Sequence, residues 1–234
     1  MGLEQIKVEL QEKMGNDRSI AMAAWTSSID KSRAEERPEN DITKVIKMLA
    51  EGGHGVPFES VVLRFWIRMP LFCDRQLMTH RVASHSGMSG RYRTMPNDHY
   101  IIPEDVLELM NKVANDCSQG KQLVSNLEFM SDASISAYSD MMYFAKKSKD
   151  VGTITNDEYK RIREIARGVM PQSAMTERVT IMNLRSFANF YRLRSDSHAQ
   201  PEIQQVAKLM MQEVKESNIC PIALEELEKV GWKI

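Results

Sequence analysis

Cysteine is scarce in this chain. Three occur among 234 residues, Cys73, Cys117 and Cys220, widely spaced and without a CxxC pair, so neither a disulfide framework nor a zinc site is indicated. Cys73 and Cys117 sit in helical patterns and Cys220 precedes Pro221 in a polar segment, so all three read as structural thiols rather than nucleophiles. A reducing cytoplasm is the expected location. Long apolar runs are missing too: none approaches the ~20 residues of a membrane span. The charged first residues lack a signal-peptide core, and Ile6 stands where myristoylation needs Ser or Thr. Nor does one sign of charge dominate. Lys and Arg number 31 against 32 Asp and Glu, a net charge of −1, so no global charge recruits nucleic acid or an acidic membrane. No metal site, internal repeat or low-complexity tract is evident.

What is present is an ordinary globular composition, 42% hydrophobic and 27% charged, long enough for one domain with a substantial core. Alternation at Ile6, Val8 and Leu10 predicts a strand ending at Gly15-Asn16-Asp17, followed by a short helix over 19–24. Residues 28–41 read as an exposed loop. Asp41 is placed to cap a helix through Ile42, Val45, Ile46 and Leu49, stopped by Gly52-Gly53. The clearest strand follows the turn at 54–59: Val61, Leu63, Phe65, Ile67 and Met69 share one face. Pro70 ends it and suits the first turn of a helix running to about Ala83, which would stack Gln76 and His80. Residues 100–102 suggest a strand, and 105–147 a helix broken near Ser118-Gln119-Gly120. Asn156-Asp157 opens a helix closed by Gly168 and Pro171, Val179 and Ile181 mark a short strand, and 183–193 a helix. Ser197 to Gln200 has capping-box form, placing His198 in the first turn of a helix whose stripe Ile203, Val206, Ala207, Met210 and Val214 is core.

One stretch, Thr79 to Tyr92, has no continuous apolar face. It concentrates Arg, His, Ser and Gly, and over residues 74–93 four arginines face only Asp74. That composition builds a poor core and a good pocket for an anion, because a guanidinium offers bidentate donors to a phosphate.

His80-Arg81-x-x-Ser84 followed by Ser89-x-Arg91-Tyr92 resembles the RHRxxSxNExSxRY signature of the flavin-dependent thymidylate synthases, the ThyX family. Four further blocks fall in the family's order: Val8-Glu9-Leu10 with Met14 to Asp17; Gly53-His54 with Pro57-Phe58-Glu59; Arg163 to Arg167 with Pro171; and Asn183-x-Arg185-Ser186 with Leu193-Arg194-x-Asp196 to Gln200. The resemblance implies an α/β fold of α+β type, a single domain over 1–234 with a small, mainly antiparallel sheet flanked by helices and a helical middle section near 105–155. It implies a homotetramer that binds FAD and makes dTMP from dUMP, with methylenetetrahydrofolate as one-carbon donor and NADPH as reductant. By the same resemblance Gln76, Ser89, Gly90, Arg91, Arg167 and Arg194 hold dUMP, with Arg194 and Ser89 catalytic, and His54, Glu59, His80, Arg81, Asn183, Arg185 and Asn189 contact FAD.

Three positions depart from the family pattern. Thr79 replaces Arg, Ser86-Gly87 replaces Asn-Glu, and Ser60 stands where His is common. Two alternatives therefore accompany the synthase reading: a hydroxymethylase acting on dUMP or dCMP, and a catalytically silent nucleotide- or flavin-binding paralogue. The departures lead to the expectation of a loosened flavin side, with Thr79→Arg and Gly87→Glu together restoring methyl transfer.

Overall fold

The computed structural model describes residues 2–114 and 117–234. Strand β1 (Lys7–Met14) is followed by α1 (Asp17–Trp25), whose N-cap Asn16 forms a capping box with Ser19. The predicted loop over 28–41 is corrected by a short helix, α2 (Lys31–Glu35), which buries Ala34. Helix α3 (Glu39–Glu51) starts behind Pro38, not at Asp41. Asp41 lies in its first turn, where a carboxylate also favours the helix dipole.

β2 (Val62–Pro70) keeps the predicted face, with Leu63, Phe65, Ile67 and Met69 fully buried. Helix α4 (Leu71–Leu77) is shorter than the sequence pattern suggests. Its end tightens into three-residue turns, with Thr79 N donating to Gln76 O and His80 N to Leu77 O. Beyond it, Ser84–Gly87 forms a short strand, β3.

The strand expected at 100–102 is reduced to one bridge, His99 with Ala174, plus a bond from Tyr100 N to Ser173 O of 2.7 Å. Helix α5 (Glu104–Val113) and helix α6 (Cys117–Asp150) divide the helical middle ahead of Cys117 rather than near Gly120. The Cys117 side chain, and the expectation made of it, lie outside the described residues. Gly120 serves helix packing instead, since a Cβ there would stand 2.6 Å from Asn111 Cα on α5.

α7 (Asn156–Ala166) is capped by Thr155 with Glu158, and β4 (Met175–Asn183) leads into α8 (Leu184–Arg194). α9 (Pro201–Glu216) starts with Pro201 at its first position, where the ring fixes φ, so the Ser197 capping box does not form. Asp196 instead accepts from His198 N at 2.9 Å, and His198 is exposed outside the helix. α10 (Pro221–Lys229) ends the set.

The strands form one small antiparallel sheet in the order β1-β2-β4-β3. The chain makes two compact units, Met1–Ile6 with Arg68–Arg75 and Gly87–Arg178, and Lys7–Ile67 with Gln76–Ser86 and Val179–Ile234. In the first, Tyr138, Ile135 and Met142 of α6 pack with Met95, Met170 and Ala174, and the buried Tyr138 hydroxyl accepts from Met95 N at 3.0 Å. In the second, the α9 stripe predicted as core is fully buried, its Ile, Val and Met side chains each contributing about 1.5–3 kcal/mol. Asp17 joins α1 to α10 by accepting from Ile222 N and Ala223 N. Its pKa is nonetheless raised, because burial outweighs those two bonds. Cys73 and Cys220 are buried, and burial pushes the Cys220 thiol up to about 12, leaving no thiolate for nucleophilic attack. No helix among the described residues is long and apolar enough to cross a membrane.

Candidate active site

In the second unit the end of α8 meets the turn after α4. Arg194 is the last residue of α8, and its guanidinium crosses to three acceptors. Nε donates to His80 Nε2 at 2.9 Å, and Nη2 donates to Thr79 Oγ1 at 2.9 Å and, at 3.5 Å, to the Gln76 carbonyl. An arginine nitrogen can only donate, so His80 Nε2 carries a lone pair and the imidazole is neutral, with its proton on Nδ1. Its electrostatics agree. Burial, then the Arg194 charge, then His85, pull the His80 pKa down to about 4. The His80 ring also stands edge-on to Phe190, 4.9 Å between centroids. Gln76 is tied through its amide to Gln200 Oε1 at 2.5 Å.

Thr79, His80 and Arg194 line a hollow of about 650 Å³ that also holds Arg81, Arg185, Asn189 and Glu59. Arg185, in the first turn of α8, pairs with Glu59 at 2.8 Å. The Asn183 side chain caps the helix through Ser186 N at 2.8 Å, and Asn189 Oδ1 accepts from Arg192 at 3.0 Å. Both asparagine oxygens are thus spent on the protein. His54 lies in a second hollow of the same unit, about 870 Å³, with Trp25, Arg37 and Lys44 on its wall and Arg185 shared with the first.

In the first unit Ser89, Gly90, Arg91 and Arg167 come together. Gly90 allows a close approach, as a Cβ there would sit 3.1 Å from Arg167 Cδ and 3.2 Å from Met95 Sδ. The Ser89 carbonyl accepts from the backbone of Tyr92 and Arg93, folding Arg91 outward. Arg91 Nε pairs with Glu164 at 3.0 Å, and Arg161 holds the same carboxylate at 3.2 Å. The bond from Arg161, then that from Arg91, lowers the Glu164 pKa, so this carboxylate stays ionised beside the cations.

Glu164 was missed as a site residue, although its spacing of three from both Arg161 on α7 and Arg167 at the helix end was a usable signal. Also missed was a buried pair, Arg178 with Asp74, joined by two hydrogen bonds, one of them 2.7 Å from Nη2 to Oδ2. The signal lay in β4, where the buried alternation runs Thr176, Arg178, Thr180, Met182, while Val179 and Ile181 take the more open face. His85 of β3 contacts Thr180 Oγ1 at 3.1 Å. Gly87 leaves room for the Arg178 guanidinium, as a Cβ would lie 2.9 Å from its Nη2.

Three comparisons bear on this arrangement. A family model described as Thy1, thymidylate synthase complementing protein, matches residues 9–222. A flavin-dependent thymidylate synthase of Kosmotoga olearia is 36% identical, over 95% of this chain and 90% of its own length. One of Thermotoga neapolitana is 31% identical over 97% and 92%. Among solved structures, the UMP/dUMP methylase PolB from Streptomyces cacaoi, bound with 5-Br dUMP, superposes with a TM-score of 0.75 at 25% identity, covering 97% of this chain and 96% of that one.

Proposed function

The chain belongs to the Thy1 family of flavin-dependent thymidylate synthases, and from this premise we propose that it converts dUMP to dTMP. Methylenetetrahydrofolate supplies the carbon, and NADPH reduces the flavin. In this reading residues 1–234 serve one activity as a single catalytic domain, in a cytoplasmic homotetramer.

The observation that supports it most is Arg194, a cation fixed by neutral acceptors at the edge of a hollow. Making uracil C5 nucleophilic enough to attack the one-carbon unit builds negative charge on the ring carbonyl side. A donor already fixed in place stabilises that charge without reorganising. No enzyme nucleophile is then required, in keeping with the buried Cys73 and Cys220. Gln76 orients the base edge. Ser89, Gly90, Arg91 and Arg167 take the phosphate, with Arg91 exchanging Glu164 for a dianion that accepts more hydrogen bonds. Ser89 is assigned a catalytic part by the family resemblance.

The donors of the first hollow fit a flavin dinucleotide. Arg81 and Arg185 supply charge for a pyrophosphate, and His80 and the Asn189 amide are polar groups suited to the ring, with Glu59 holding Arg185 and His54 on the wall of the second hollow; Asn183, the N-cap of α8, is assigned to the flavin by the family resemblance. Bound there and reduced by NADPH, the flavin would supply the hydride that completes the methyl group. The alternatives of hydroxymethylase and silent paralogue are less favoured, since the named relatives are synthases.

The test is to purify the protein and incubate it with dUMP and methylenetetrahydrofolate, with and without NADPH. A yellow preparation that releases FAD on denaturation, and NADPH-dependent dTMP, are expected. A colourless protein whose melting temperature is unmoved by excess FAD refutes the flavin assignment.

A further inference from the structure

The first departure from the family signature places a hydroxyl where two bonds of fixed direction meet. Thr79 Oγ1 lies 2.7 Å from the Gln76 carbonyl oxygen and 2.9 Å from Arg194 Nη2. A carbonyl oxygen only accepts and a guanidinium only donates, so the hydroxyl donates to Gln76 and accepts from Arg194. His80, the next residue, accepts from Nε of the same guanidinium. Adjacent residues therefore hold two edges of one side chain.

The character of these acceptors sets Arg194 apart. Arg91, Arg178 and Arg185 each hold a carboxylate, Glu164, Asp74 and Glu59 respectively. Arg194 has no carboxylate partner among the described residues, and both of its side-chain acceptors are neutral. A carboxylate would orient the guanidinium and cancel most of its field at the same time. A hydroxyl and a neutral imidazole orient it and leave the charge available to a developing anion.

We propose that Thr79 is a positioning residue for Arg194: its hydroxyl, itself aimed by the Gln76 carbonyl, fixes the guanidinium plane without neutralising it. The inference rests on the assignment of Arg194 to the pyrimidine ring. It also inverts the expectation drawn from the signature. An arginine at 79 would remove an acceptor and bring a second positive charge against Arg194, so Thr79→Arg impairs the reaction rather than restoring it.

A double-mutant cycle on the flavin-loaded full chain tests this. Thr79→Val keeps the shape and removes the acceptor; Thr79→Ser keeps the acceptor. Losing one hydrogen bond to a charged group is expected to lower kcat for dUMP by about tenfold to hundredfold in Thr79→Val. Thr79→Ser should recover most of it. Binding of 2-deoxyribose 5-phosphate, which lacks the base, should be unchanged in both. In an Arg194→Ala background Thr79→Val should have no further effect, since the group it positions is gone. If Arg194→Ala loses turnover while Thr79→Val matches wild type, or if the Thr79→Val effect persists undiminished in the Arg194→Ala background, the role of Thr79 is refuted and the Arg194 assignment stands. If Arg194→Ala itself keeps wild-type turnover, both fall.

Discussion

Cations that resemble one another in sequence do different work once their partners are known. Arg91 is half-exposed and paired with Glu164, whereas Arg194 is held by neutral groups. Arg194→Ala is therefore expected to cost ~3 kcal/mol in the chemical step, about 10² to 10³ in turnover. Arg91→Ala should chiefly weaken dUMP binding, by roughly tenfold to hundredfold as measured by calorimetry, with a smaller effect on kcat. Equal, small effects of the two substitutions would remove the division of labour. His80 gives a pH prediction. Its folded pKa of about 4 lies below the ordinary value of 6.5, so the unfolded chain binds the proton more readily between those values. Its contribution to stability is full above about pH 6.5 and is lost as pH falls toward 4. The group is half-buried, so after screening the loss is on the order of 1–2 kcal/mol. Urea melts at pH 7 and pH 5, compared between wild type and His80→Gln, measure it. If the His80 imidazole titrates near 6.5 in the folded protein by NMR, this pH-dependent contribution is absent.

Elements with one dominant period were legible before any coordinates. The alternation from Val61 to Met69 and the apolar stripe of α9 follow from burial of one face, and burial decides both. β3 was not legible, because Ser84-His85-Ser86-Gly87 has neither alternation nor strand propensity; the ladder to β4 makes it a strand. The site divides the same way. Residues of the signature were named from their types and order, but the acceptors of Arg194 depend on where α4 stops, and the helical pattern alone would have run it to Ala83. Glu164 and the Arg178–Asp74 pair needed the neighbouring element to be seen. That pair changes the expectation for the second departure. Both carboxylate oxygens of Asp74 already bind Arg178 in a buried position. A side chain at 87 would meet the guanidinium and bring a second negative charge to a cation already neutralised. Gly87→Glu is expected to destabilise the fold by about 3 kcal/mol, visible as a lower melting temperature and no gain in dTMP formation. A variant that melts like wild type would show that Arg178 yields without cost.

At the scale of the whole molecule, α6 carries two apolar stripes where a helix on a monomer's surface needs one. The buried stripe is Val124, Ile135, Tyr138, Met142 and Ala145. Leu123, Leu127, Met130, Met141 and Phe144 remain exposed on another side, Leu127, Met130 and Phe144 by about 60%. These five positions fall on a repeat of four and three residues, with the small Ser134 and Ala137 completing the row and the exposed Phe129 and Tyr143 beside it, which is the spacing of a helix–helix seam. Helix α6 has 34 residues, so at 1.5 Å per residue the helix is roughly 50 Å long, and an apolar row along much of it is poorly tolerated by water. These features support the proposed homotetramer, with copies of this helix covering one another. Sedimentation equilibrium should give a mass of four chains. Leu127→Glu with Met130→Glu, both on the exposed row, should lower that mass while leaving the helical circular dichroism of each chain in place. A variant that remains a tetramer would show that assembly uses another face, and a wild type that sediments as a single chain would remove the tetramer itself.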